Sequence, residues 1–158
     1  MPVSDKHFNN IKIHTQYSIC EGAIKIETLK DYCKTNKIPC LGISDTSNLC
    51  GALEFAENIS KVGTQPIIGT QIYFKFEDTT GLLPLIALNE KGYKRIIELS
   101  SKSYLENDAL SDPHLDIEEL LSDTEGVILL SGTIRGLFGK LFEKGRLEED
   151  TKLYKKLT

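Results

Sequence analysis

Residues 40–44 read CLGIS, a short, mostly apolar run that begins directly after Pro39 and gives way to Asp45. A run this short and apolar suits a strand buried on both faces, as in a parallel sheet. Upstream, residues 24–35 place Ile26, Leu29 and Cys33 at three- and four-residue spacing, a helical stripe that Pro39 stops. Downstream, residues 51–62 put Ala52, Phe55, Ala56 and Ile59 on one stripe, with Gly63 as the C-terminal stop. Before the first helix, Ile11 and Ile13 alternate with Lys12 and His14, the period of a half-buried strand. After the second, residues 66–76 (PIIGTQIYFKF) alternate Ile72, Phe74 and Phe76 against Gln71, Tyr73 and Lys75.

The pattern continues through the rest of the chain. EDTTG turns into LLPLIAL (82–88), where Pro84 argues against a central strand because it cannot donate to a ladder. Tyr93, Ile96, Ile97, Ser100 and Tyr104 mark another helix, and SDPHL (111–115) is a loop. Asp116 with Glu119 resembles a capping box opening a short helix. Gly126 leads into VILLS (127–131), read as a buried strand. Strands joined by crossovers of a dozen or more residues imply parallel pairing and an α/β fold with flanking helices. The organisation is a flexible lead-in (1–10), βα units (11–135) and a helical tail (136–158). Polar residues collect at strand exits: His14, Asp45, Ser131 and Thr133. In barrels and open α/β sheets alike, sites gather at that carboxyl end.

Composition removes several functional classes. The 158 residues, 40% hydrophobic and 27% charged, fit one ordinary globular domain. A net charge of −4 and a pI near 5.4 do not advertise nucleic-acid binding by the whole surface. The basic clusters Lys91/Lys94/Arg95 and Lys152/Lys155/Lys156 read as solvated helix faces. Cys20, Cys33, Cys40 and Cys50 form no C-x-x-C pair and read as reduced, buried or half-buried thiols. No membrane-length apolar run and no signal-peptide pattern is present, so a cytoplasmic location without membrane partners is expected.

The segments IHTQYSICEGAIKIETL, GISDTSNLCGALEFAE, QPIIGTQIYF, ALNEKGYKRIIELSSKSYLE and EGVILLSGTIRG, in this order and spacing, resemble one family. It is the N-terminal PHP (polymerase and histidinol phosphatase) domain of bacterial replicative DNA polymerase III alpha subunits. The resemblance runs from about Phe8 to about Leu147. It implies a distorted (βα) barrel, of which this chain would be the N-terminal part, with the polymerase core outside it. In metal-binding members the barrel mouth holds metal ions on His, Asp, Glu and Cys side chains. Carried over position by position, the first strand's His-x-His falls on Lys12 and His14. The carboxylate before a glycine is Glu21, and an Asp-His pair becomes Asp45–Thr46. A further acidic ligand falls on Gln71, a histidine on Leu82 and a cysteine on Thr133.

That set suits a metal poorly, since zinc and manganese want three or four His, Cys or carboxylate donors. Two unit charges ~4 Å apart at an effective dielectric near 20 repel by ~4 kcal/mol, so Lys12 disfavours a cation outright. Lys12 is therefore expected to fill the vacated position and pair with Glu21 or Asp45, His14 to be a hydrogen-bonded strand-end histidine, and Asp45 to cap the turn that follows it. GTIRG lacks the lysine and glycine spacing of a phosphate loop. No catalytic residue, metal or cofactor is expected within the fragment.

The resemblance implies a non-catalytic structural and docking module of the replicative DNA-directed DNA polymerase. Its implied partners are the proofreading exonuclease subunit, other polymerase III holoenzyme subunits and, through the parent protein, primer-template DNA. Mg²⁺ is implied for the parent polymerase only. The alternative is a metal-dependent phosphoesterase or 3′-exonuclease. A barrel cut short should leave an apolar flank, covered by self-association or by a last helix at residues 147–157.

Overall fold

The computed structural model describes residues 8–108 and 110–157, so most of the expected lead-in lies outside the described residues. Helix α1 (Ile26–Asn36) buries Ile26, Leu29 and Cys33 and ends where Lys37 turns left-handed at φ 50°. Strand β1 (Cys40–Thr46) follows, then α2 (Ala52–Ser60), whose buried side chains are Ala52, Phe55 and Ile59. These elements enclose one core of Ile26, Leu29, Cys33, Ile38, Leu41, Ile43, Phe55 and Ile59. Strand β2 (Gln65–Phe76) and strand β3 (Thr79–Ala87) then run into α3 (Glu90–Leu105), where the Asn89 side chain accepts the Gly92 amide at 2.9 Å. The chain closes with β4 (Leu115–Asp116), α4 (Ile117–Leu121), β5 (Val127–Leu129), α5 (Leu137–Glu143) and α6 (Leu147–Leu157).

The strands form one sheet in the order β1-β2-β3-β5, with β4 pairing β2 beyond the end of β1. Pairing is mixed, so the expected parallel strands are present but do not make up the whole sheet. β1 and β4 run parallel to β2, but β2–β3 and β3–β5 are antiparallel. The cause is local. Only Glu77 and Asp78 separate β2 from β3, and Glu77 takes φ 53°, so the connection is a hairpin too short for a crossover.

Pro84 stands in the middle of the sheet after all, opposite Gln71. Its carbonyl accepts the Leu130 amide just past the end of β5, so the side on which proline lacks a donor faces no continuing ladder. The run 127–131 is a three-residue, partly exposed edge strand rather than a buried one, because Gly132 (φ +83°) turns the chain back toward a bridge between Gly136 and Leu82. The 11–14 strand contracts to a single bridge, Ile13 to Ile43, in the parallel sense. There the backbone presses against β1: a Cβ on Gly42 would lie 2.6 Å from the Ile11 carbonyl oxygen.

Other local expectations fail for charge reasons. Asp116 is the N-cap of α4, but its side chain makes no cap bond. Glu119, the other half of the supposed capping box, instead receives Lys102 at 2.7 Å and Arg95 at 3.3 Å. Arg95 is not solvated but 7% exposed, held by Glu98, the Ser122 hydroxyl and the Asp123 carbonyl. Cys33 is buried, which pushes its thiol pKa up, and Cys40 is half-buried. Cys20 and Cys50 are exposed, since both lie in polar loops outside the two cores.

The larger core spans β2, β3 and the C-terminal helices, from Ile72, Phe74 and Leu83 through Leu99 to Leu137, Leu141 and Leu153. Helix α6 lies over the β5 flank. Leu153 is fully buried, while Tyr154 and Leu157 line a groove with Val127 and Leu129.

Candidate functional site

Beside the point where the N-terminal segment meets β1, β2 and β3, a cleft of about 380 Å³ opens to solvent. Lys12, His14, Glu21, Gln71, Leu82 and Thr133 all line it, together with Cys20, Pro84, Arg135 and Gly136. Six positions that the resemblance implied, drawn from residues as far apart as 12 and 133, therefore meet in one place. Thr46 joins them through hydrogen bonds, and Asp45 lies buried just behind.

Asp45 organises the entrance. It belongs to β1 rather than following it, and it is 1% exposed. Its Oδ1 accepts the Thr15 amide at 2.6 Å and the Ser18 hydroxyl at 2.6 Å, and its Oδ2 accepts the Thr15 hydroxyl at 2.7 Å. The expected cap on the following turn is thus not made by Asp45; its donors come from the segment before α1. Ser18 Oγ takes over that role by accepting the Thr46 amide at 3.1 Å, and Asn48 Oδ1 accepts the Cys50 amide at 3.1 Å. Residues 15–18 are in this way fastened to β1, which fixes the flanking Lys12, His14, Cys20 and Glu21 around the cleft.

His14 is half-buried, with Nδ1 3.3 Å from Ser18 Oγ and 3.8 Å from Glu21 Oε2. Glu21 Oε2 also accepts the Thr46 hydroxyl, and Thr46 Oγ1 in turn accepts Gln71 Nε2 at 2.7 Å. Gln71, Thr46 and Glu21 form a hydrogen-bonded row that ends in one carboxylate. Lys12 lines the cleft but makes no ion pair with Glu21 or Asp45 among the described residues, contrary to expectation. The reason is that Asp45 is saturated by three donors and Glu21 is engaged by Thr46. Outside the cleft rim, Tyr17 Oη donates to Glu54 at 2.7 Å, which raises the tyrosine pKa and ties this segment to α2.

Arg135 was not singled out by residue reasoning, and Cys20 was read only as one of four reduced thiols. The sequence signal was Arg135 before Gly136 in GTIRG and Cys20 before Glu21 in CEG, and neither stretch carries a spacing specific enough to select them. The donors present do not fit a metal ion. Leu82 has no donor atom, Thr46, Gln71 and Thr133 are neutral, and Lys12 is cationic. Among the described residues, no group of three or more His, Cys, Asp or Glu side chains is placed to hold a metal. No helix among them is long and apolar enough to cross a membrane.

Residues 10–158 match the PHP domain family. The DNA polymerase III subunit alpha of Rickettsia felis is 36% identical over 148 residues, covering 93% of this chain and 12% of that protein. The subunit of the same name from Caulobacter vibrioides is 34% identical over 155 residues, 90% of this chain and 13% of that protein. The chain thus spans only 12–13% of the length of these relatives. Among solved structures, an amidohydrolase from Chromobacterium violaceum superposes with a TM-score of 0.50 at 13% identity, over 61% of this chain and 33% of that one, a likeness of fold.

Proposed function

We propose, from the premise that the chain belongs to the PHP domain family, that it forms the N-terminal part of that domain in a DNA polymerase III alpha subunit and works there as a structural and docking module rather than as a catalyst. Residues 1–158 would then carry no active site, and the polymerase core would lie outside them. The observation that carries this reading is the cleft itself. It gathers the positions that the resemblance implied, yet presents an ammonium group, an alkyl side chain and neutral amide and hydroxyl groups where metal ligands would stand.

In this reading the parent protein performs the nucleotidyl transfer of a DNA-directed DNA polymerase on primer-template DNA. Paired carboxylates and Mg²⁺ outside this chain would supply that chemistry. The relatives named DNA polymerase III subunit alpha support the assignment. Cytoplasmic location and assembly with other holoenzyme subunits go with it. The fold's own contribution is rigidity, since the N-terminal segment, β1 and β2 are locked together by the buried Asp45 network. The docking partner implied is the proofreading exonuclease subunit.

Two measurements test the proposal. Elemental analysis of the purified chain should find less than stoichiometric zinc, manganese or iron, and a pull-down with the proofreading subunit should retain it. Tight stoichiometric metal, together with phosphate release that disappears in His14→Ala, would instead establish the phosphoesterase reading. Failure of the alpha subunit's intact PHP domain to bind the proofreading subunit would remove the docking role.

A further inference from the structure

The two edges of the sheet are finished differently. Along β1 the N-terminal segment covers the edge. Gly42 N–H donates to the Asn10 carbonyl at 2.7 Å, Ile13 N–H to the Gly42 carbonyl at 3.1 Å, and Ser44 N–H to the Ile13 carbonyl at 2.8 Å. At the other edge, β5 pairs with β3 on one side and, among the described residues, with no strand on the other. The Leu130 amide donates to the Pro84 carbonyl and the Leu88 amide to the Gly126 carbonyl, so residues 126, 128 and 130 face β3. By the alternation of an antiparallel ladder, Leu129 turns its N–H and C=O outward. Neither group has a partner among the described residues, and the Ser131 amide has none either. Such an edge is a template for a further strand.

The surface around this edge is apolar along its length and charged at its ends. Ser131 and Phe138 join two grooves, of about 310 and about 370 Å³; Val127 and Leu129 line the first, Ile134 and Phe142 the second. Ile134 is 73% exposed and Phe142 68%, so one patch holds both hollows and projecting side chains. Asp123 and Glu125 stand where the chain enters β5, and the exposed Arg135 stands where it leaves. The Arg135 side chain makes no ion pair or hydrogen bond among the described residues. We propose that β5 is the contact through which two copies of this chain associate, pairing antiparallel about a two-fold axis at Leu129. The inference is independent of what the cleft holds.

A second copy fits this edge because an isologous contact needs one patch that complements itself. Antiparallel pairing sets the acidic entry of each β5 against the basic exit of the other, and does so twice. Leu129 and its counterpart exchange two hydrogen bonds, and each Ser131 amide reaches the Val127 carbonyl of the other copy. The Val127 amide adds nothing, since the Thr124 carbonyl already accepts it at 3.1 Å. Backbone bonds from so short a strand make a small interface, and the flanking grooves supply its apolar area.

Sedimentation velocity of the 158-residue chain tests this across roughly 1–500 µM, the range in which a small interface dissociates. A reductant is included because Cys20 and Cys50 are exposed. The mass should rise with concentration and stop at the dimer. Leu129→Pro should weaken the dimer at least tenfold, because the donor that proline lacks faces away from β3 and the internal ladder is spared. Arg135→Glu and Glu125→Lys should each weaken it by roughly tenfold, since two exposed attractions become repulsions at once. An equimolar mixture of those two variants should dimerise like the wild type, because each copy then meets the opposite charge at both ends. Lys61→Gln, at the end of α2, should change nothing. A wild type that stays monomeric throughout, or one that grows beyond the dimer without limit, would overturn the proposal. So would a mixture no tighter than its components, or a Leu129→Pro chain of native circular dichroism that dimerises normally. If Leu129→Pro does not fold, the two charge variants on the surface carry the test.

Discussion

Replacing Asp45 by alanine should be among the most damaging single changes available in this chain. The carboxylate is 1% exposed, and its three donors come from Thr15 and Ser18, themselves 0% and 1% exposed. Alanine would leave the Thr15 amide without its acceptor in a place water cannot reach. The Thr15 hydroxyl would lose its acceptor too, while Ser18 could turn its proton toward His14 Nδ1, 3.3 Å away. Leaving a buried donor unsatisfied costs about 1–3 kcal/mol, so two such groups cost roughly 2–6 kcal/mol.

That is a large share of the ~5–15 kcal/mol typical of a domain. With a urea slope near 2 kcal/mol per molar, the midpoint should fall by about 2 M. Asp45→Asn separates hydrogen bonding from shape. An amide oxygen in the Oδ1 position keeps the Thr15 amide and Ser18 hydroxyl, and only the contact to the Thr15 hydroxyl must rearrange. A loss of about 1–2 kcal/mol is expected, well short of alanine. The assay is equilibrium urea unfolding followed by far-ultraviolet circular dichroism, for the wild type and both variants. If Asp45→Ala costs less than about 1 kcal/mol, or if Asn and Ala cost the same, the network is not what fastens the N-terminal segment to β1.

Three further outcomes follow from the same geometry. Leu153→Ala should cost about 2–5 kcal/mol in urea unfolding, because the side chain is fully buried in the larger core; a cost under ~1 kcal/mol would mean that α6 does not seal it. Gly92→Ala should destabilise by more than about 2 kcal/mol despite alanine's ~1 kcal/mol helix preference, since its Cβ would stand 1.8 Å from the Gly126 carbonyl oxygen; a gain in thermal midpoint would refute the close approach. Glu119 has its pKa lowered, chiefly by the Lys102 hydrogen bond and with Arg95 contributing. Its folded value lies below its ordinary 4.5, so its stabilisation is present above 4.5 and is lost as the pH falls through the folded value. Stability of Glu119→Gln should therefore depend less on pH than the wild type across that acid range, and superimposable pH profiles would count against the ion pair.

How much of this was legible beforehand depends on the range of the interaction. The helices at 26–36, 52–60 and 90–105 follow from three- and four-residue apolar spacing, a signal contained within each segment. The strand at 40–46 was legible for a similar reason. Strand direction was not, because it depends on whether two residues or a whole helix join neighbouring strands, and EDTTG resembles either a turn or a loop. Pro84 misled because a proline's acceptability depends on which neighbour faces its missing donor, here the end of β5. Arg95 misled because, besides Glu98 on its own helix, it is held by Glu119 from α4 and by the Asp123 carbonyl from the loop that follows, partners that charge patterning along one helix cannot bring together. The positions gathered at the cleft came from resemblance, and the structure lines one volume with six of them. Their pairing was beyond any sequence reading.

The fate of Lys12 illustrates why pairing does not follow from residue types. A lysine among Glu21 and Asp45 invites an ion pair, yet each carboxylate found cheaper company. For Asp45, a backbone amide and two hydroxyls satisfy both oxygens at 2.6–2.7 Å without immobilising a long side chain. For Glu21, a threonine hydroxyl that itself accepts from Gln71 serves the same end. Ordering a lysine side chain costs up to ~2 kcal/mol of rotamer freedom, whereas a threonine or serine on a packed segment has little left to lose. An exposed pair returns only ~0–1 kcal/mol. Neutral donors therefore win both acceptors, and the ammonium group keeps its charge facing the open cleft. The same competition would meet any metal ion arriving there. It would have to displace the Thr46 hydroxyl from Glu21 and approach Lys12, with His14 and Cys20 as the other ligand-type side chains on the wall among the described residues.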